Sequence, residues 1–193
     1  MSLPLLSLLI FLPLLAAGVI WLLPAHLARQ VAALSMVVSL TLGVAALVAY
    51  DPAGARFQLL EQGVWIASLN VFYRVGIDGI AVLFLPATAL LFLGSLVACW
   101  NVVQEAPRLH YALLLLLEAA TLGIFCALDT VLFFVFWEAT LVPLYFLLGR
   151  WGVTAGAAAA ATRYFLIMLA GGIPLLLAFV ILAVSQAVPT FDL

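Results

Sequence analysis

Apolar residues occupy this chain in long uninterrupted runs, and polar residues fall in the gaps between them. A bilayer core about 30 Å thick takes roughly 20 helical residues to cross. Six runs qualify: residues 3–23, 31–50, 80–100, 111–128, 130–148 and 164–184. A backbone in hydrocarbon must satisfy its own hydrogen bonds, and the alternation of barrel strands is absent, so the runs predict helices. The expected fold class is an all-α membrane protein of about six transmembrane helices, forming one domain over residues 1–193.

The gaps differ in character. Residues 24–30 and 101–110 read as short turns, and 51–79 are long enough for an extramembrane hairpin, with Val64, Trp65, Val71, Phe72 and Tyr73 as strand material. The Ala- and Gly-rich segment 152–162 reads as a short interfacial helix leading into the sixth span. No soluble domain fits between the spans, and no internal repeat is visible. The first span follows Met1 without a basic leader, so it is expected to be retained rather than cleaved as a signal peptide.

Composition agrees with the pattern. The chain is 69% hydrophobic and 7% charged, with mean hydropathy +1.39, where a soluble domain carries roughly 25% charged residues. Lipid is its main solvent, and no basic patch suits nucleic acid. Cys99 and Cys126 are too few for a disulfide framework and fall at opposite membrane faces. His26 and His110 stand far apart without cysteine or carboxylate company, which argues against a metal site. All six basic residues are arginines. With the N-terminus outside, the inner gaps hold Arg29, Arg108, Arg150 and Arg163 and the outer loop holds Arg56 and Arg74. That asymmetry favours N-outside, with residues 186–193 also outside.

The candidate chemistry lies in two acids. The fourth and fifth spans meet at Leu128-Asp129-Thr130, a turn so tight that the helices must be antiparallel neighbours. Glu118 lies eleven residues before Asp129 and Glu138 nine after it, which puts both carboxyls roughly 14–16 Å from the outer face. An ionised carboxylate there costs about 2.5–3.5 kcal/mol, so its cheaper state is the neutral acid. Such a position suits a proton or ion path; the plainer alternative is a neutral acid bonding two helices together. Arg150 is about 18 Å along the helix from Glu138, so a basic partner at that depth has to come from outside these residues. Pro143 clashes with the carbonyl of Ala139 and predicts a kink beside Glu138. Asp129 and Asp78 read as helix caps, and Tyr50 and Trp100 as interfacial anchors. Trp137 reads as packing. Gly171, Gly172 and Pro174 mark a weak point in the sixth span, a close-packing or bending site.

These residues resemble a known family. Phe134-Val-Phe-Trp-Glu-Ala-Thr-Leu-Val-Pro-Leu-Tyr-Phe-Leu-Leu-Gly-Arg-Trp-Gly152 is similar to the fifth-helix signature of the antiporter-like subunit M of proton-pumping NADH–quinone oxidoreductase, respiratory complex I. Arg74-Val-Gly-Ile-Asp-Gly-Ile80 resembles the start of the family's third helix, and Leu117-Glu-Ala-Ala-Thr-Leu-Gly-Ile-Phe-Cys-Ala-Leu-Asp129 its fourth. Ala160-Ala-Thr-Arg-Tyr-Phe165 resembles the start of its sixth. Related chains of membrane-bound hydrogenases and Mrp-type antiporters share the outline. The resemblance implies that Glu138 is the helix-five glutamate of proton translocation and Glu118 the helix-four acid. Asp129 and Pro143 would support the path.

Relatives place the proton-carrying lysines on later helices. This sequence has none, and Thr190-Phe-Asp192 resembles the loop just ahead of the seventh helix, so the chain reads as the front of such a subunit: split, truncated or incompletely read. The resemblance implies no cofactor in this chain, with NADH and quinone handled by other subunits. Its expected partners are other membrane-arm subunits, among them a lysine-bearing C-terminal half or a neighbouring antiporter-like subunit. The expected site is the inner (cytoplasmic) membrane of a bacterium or another energy-transducing membrane. Part of a Mrp-type cation/proton antiporter is one alternative function, and a non-catalytic structural fragment is another.

Overall fold

The computed structural model describes residues 4–66 and 71–185; the tail Gln186–Leu193, with Thr190–Asp192, lies outside the described residues. Seven α-helices make six spans: α1 (Leu5–Leu22), α2 (Ala28–Ala49), α3 (Ala81–Cys99), α4 (Pro107–Cys126), α5 (Thr130–Ala139) with α6 (Leu141–Trp151), and α7 (Ala157–Val184). A 3₁₀ turn, Ala25–Leu27, opens α2. Strands β1 (Gln58–Ile66) and β2 (Val71–Ile77) pair antiparallel in the gap expected to hold a hairpin.

Two departures from the sequence reading stand out. The fifth span is broken at Thr140 rather than merely kinked. The sixth span has no separate interfacial helix before it, because α7 runs continuously from Ala157 through its 28 residues. Ala157–Ala161 are strong helix formers with no breaker between them and the apolar run. At 1.5 Å per residue the helix is about 42 Å long, so it tilts or emerges beyond the core.

Packing centres on α4, 67% of whose span is buried, against 6% for α7. The hairpin end of the bundle joins Leu6, Leu9, Val75, Leu85, Leu122 and Cys126 in one apolar cluster. The opposite end joins Ile20, Ala32, Met36, Leu96, Tyr111 and Leu115 in another. Lipid tails are as apolar as leucine, so helices in a bilayer gain by approaching closely at small residues. At Gly43 the α2 backbone meets α3: a methyl group there would stand 3.0 Å from Pro86 N and 3.2 Å from Leu85 C. At Gly123 it would overlap the Phe136 ring, which fixes α4 against α5. Phe84 and Phe125 stack at 4.9 Å between α3 and α4.

The two ends are closed by different chemistry. At one, the Glu61 carboxylate of β1 accepts from the Leu6 N–H (2.7 Å), the Ser7 N–H (2.9 Å) and the Ser7 hydroxyl. It thereby satisfies donors that the first turn of α1 leaves free and meets the positive end of the helix dipole. Ser7 Oγ also lies 2.8 Å from the Tyr73 hydroxyl, whose pKa burial raises, so the phenol keeps its proton. At the other end arginines hold helix termini. Arg108 donates to the Leu23 carbonyl at 2.6 Å. Arg29 donates to the Trp100 carbonyl (3.3 Å) and lies over that ring. Arg150 pairs with Glu105 at 2.8 Å.

Replacing Gly43 with Ala is expected to cost about 1–3 kcal/mol by overpacking. Gly18→Ala, where the added methyl has nothing within 4 Å, should be tolerated. Thermal unfolding of the detergent-solubilised subunit compares them; equal melting temperatures would contradict the close α2–α3 crossing.

Candidate functional site

Asp129 sits in the three-residue connection between α4 and α5. The α4–α5 turn is hydrogen-bonded to β2, with the Leu128 N–H donating to the Arg74 carbonyl at 2.9 Å and Ala127 bridged to Val75. The buried Asp129 carboxylate accepts from the Val131 and Leu132 N–H groups (2.9 and 3.0 Å) and from the Phe72 N–H (3.3 Å). One side chain therefore starts α5 and ties it to the hairpin. Asp78 closes the start of α3, accepting from the Ile80 and Ala81 N–H groups at 3.1 and 2.7 Å.

From that anchored start, α5 carries Glu138 to the break. Thr140 donates both its N–H (3.2 Å) and its hydroxyl (2.7 Å) to the Trp137 carbonyl, an i−3 turn that tightens the end of α5. Pro143 has no N–H to offer the Ala139 carbonyl, and regular bonding resumes with Leu144 N–H to Thr140 O at 3.2 Å. Pro143 itself is buried. Trp137 stacks on Phe133, whose ring meets Phe179 edge-on and braces α5 against α7.

Glu138 is partly buried, and its Oε1 is shut away without a hydrogen-bond partner among the described residues. The carboxyl is aimed at α7. A methyl group built on Gly172 would overlap Glu138 Oε1 outright, stand 3.2 Å from its Cδ and lie 3.6 Å from Phe134 Cε2.

Glu118 is aimed elsewhere. It is fully buried in α4, and the Ser39 hydroxyl of α2 is the polar group that acts on it. No aligned hydrogen bond joins them, so both Glu118 oxygens and Ser39 Oγ are unsatisfied, as is Ser35 Oγ one turn away. The two acids thus sit near the middle of adjacent antiparallel helices but address different neighbours, α2 and α7. Among the described residues neither is paired with a basic side chain.

Sequence reasoning missed Ser35 and Ser39, which stand four apart on an apolar helix and face its interior; that spacing was the available signal. It missed Glu61 altogether, because the partner is 54 residues away and nothing local marks it.

With this geometry in view, the relatives are informative. The family described as NADH:quinone oxidoreductase/Mrp antiporter, TM, matches residues 127–192, the stretch that contains the α5 break, Glu138 and Gly172. The F(420)H(2) dehydrogenase subunit M of Methanosarcina mazei is 36% identical across 99% of this chain. Residues 127–192 match this family, and across nearly its whole length the chain is similar to an antiporter-like membrane subunit. Subunit M of NADH-quinone oxidoreductase from Rhodobacter capsulatus is likewise 36% identical over 91% of the chain. A chain of respiratory complex I from Thermus thermophilus with bound NADH superposes with TM-score 0.79 at 28% identity, covering 97% of this chain. The chain spans under two fifths of each: 39%, 35% and 38% of their lengths respectively. It is a multi-pass membrane protein with the helical fold of the front of an antiporter-like subunit.

Asp129→Ala orphans three backbone donors and is expected to cost about 1–2 kcal/mol, whereas Asp129→Asn retains most of the cap. Melting temperatures of the two solubilised variants test this, and an alanine variant as stable as the asparagine one would refute the capping role.

Proposed function

We propose that this chain is the front part of a proton-translocating membrane-arm subunit of a quinone-reducing respiratory complex, and that Glu138 is the group that takes up and releases the proton. The observation that carries the reading is the Glu138 carboxyl itself: at a helix break near mid-span, with one oxygen buried and no hydrogen-bond partner among the described residues. A structural acid would be held by donors, as Asp129 and Glu61 are. An acid left without them is free to change its protonation state.

The mechanism is electrostatic. A positive charge brought toward Glu138 favours the carboxylate and expels its proton; withdrawing that charge favours the neutral acid. The charge is a lysine of the remaining subunit or of a neighbouring antiporter-like subunit. Glu118 with Ser39 forms a second buried station on α4, and the break at Thr140–Pro143 supplies local polarity beside the first. Asp129 holds α5 in register with the hairpin.

The relatives' names differ in electron donor, F(420)H(2) in one and NADH in the other, so what this chain contributes is ion movement rather than donor oxidation. NADH and quinone chemistry belongs to other subunits. The arginine-bearing end faces the cytoplasmic side and the hairpin the outside, in a bacterial-type inner membrane or another energy-transducing membrane.

Glu138→Gln, which keeps shape and hydrogen-bonding capacity but cannot ionise, is expected to abolish proton uptake into inverted vesicles during quinone reduction. The complex should still assemble. Full pumping by the glutamine variant would remove Glu138 from the path. Sodium/proton exchange with no requirement for an electron donor would assign the chain to the antiporter branch instead.

A further inference from the structure

Glycine is a poor choice inside a helix, since it loses more backbone freedom on ordering than any other residue. The middle of α7 nevertheless carries two in succession, Gly171 and Gly172. Their surroundings are unalike. A methyl group on Gly171 would meet nothing within 4 Å, whereas one on Gly172 would occupy the place of the Glu138 carboxyl, beside the Phe134 ring. Only the second has a steric reason to lack a side chain.

The same contact explains where the carboxyl goes. Glu138 projects from the last turn of α5 toward α7, and the missing side chain at Gly172 leaves a notch that receives Oε1. Phe133 against Phe179 holds the two helices together on one side of the break (6.0 Å between centroids). On the other side Tyr145 of α6 packs against Phe165 of α7 (5.6 Å). Both contacts oppose an opening of the notch by α7 drifting away. Any side chain at position 172 forces the acid itself to turn.

We propose that Gly172 is a positioning residue, whose missing side chain forms the notch that holds the Glu138 carboxyl against α7 in the orientation from which it exchanges its proton. This rests on Glu138 being the proton-carrying acid. Gly172 does not touch the proton; it fixes the rotamer of the group that does. Displacing a reacting group by about 1 Å can cost up to about 100-fold in rate, and alanine at 172 would displace the carboxyl by at least that much.

The test compares four variants of the whole subunit in its assembled complex: G172A, G171A, G172A combined with E138D, and E138Q. Proton uptake per electron pair and its pH profile are read in inverted vesicles, and assembly is measured by native electrophoresis. G172A is expected to lower uptake about 10- to 100-fold and to move the pH profile. G171A, the same chemical change one residue away, should behave as the parent. The shorter aspartate, pulled back from the added methyl, should restore part of the uptake lost in G172A. If G172A fails to assemble, recovery of assembly in the double variant supports the proposal and its continued failure overturns it. Equal behaviour of G172A and G171A, whether both normal or both impaired, also overturns it. Full pumping by E138Q would instead overturn the underlying role of Glu138; its loss alongside a normal G172A would overturn the positioning role alone.

Discussion

Hydrocarbon supplies no hydrogen bonds, so every polar group placed in it must find a partner within the protein or exist in a state that does not need one. The fold can be followed as a series of answers to that constraint. Helix termini are closed by side chains reaching from distant segments: Glu61 onto the start of α1, Asp129 onto the start of α5, Arg108 onto the end of α1. Each joins a local backbone need to a tertiary contact, so capping and assembly of the bundle are one process.

Against that background Glu118 and Glu138 are exceptions, and they are exceptions of different kinds. Glu118 lies in the best-packed helix, enclosed on all sides and facing the Ser39 hydroxyl. Glu138 lies where the backbone ladder is interrupted, on a weakly buried span, against the most exposed of the six spans. The flanks of α5, α6 and α7 are apolar and largely uncovered, and the chain has the length of only the front of its relatives. Of the two unpaired acids, Glu138 is thus the one on the open side of the bundle.

Much of this was legible because it is local. The six spans follow from run lengths, the hairpin from the gap between spans two and three, and the Asp129 cap from a turn of three residues. Pro143 marked the damaged part of the fifth span, though the interruption falls at Thr140 because the threonine hydroxyl takes the Trp137 carbonyl as well. Hydropathy alone starts the sixth span at residue 164, whereas the helix propensity of five consecutive alanines carries α7 back to Ala157. What could not be read was long-range: Glu61 finds α1, and Gly172 finds Glu138, only after the helices have packed. The two acids were matched in depth from the sequence, yet which way each points depended on α2 and α7.

The central claim is that the Glu138 carboxyl changes its protonation state during turnover. Infrared difference spectroscopy of the assembled complex, poised with and without electron donor, observes this directly through the carbonyl stretch of a neutral carboxylic acid. The account predicts a donor-dependent band in that region that is lost when Glu138 is replaced by glutamine. A band that survives the substitution unchanged, or no donor-dependent carboxyl band in the parent complex, would contradict it.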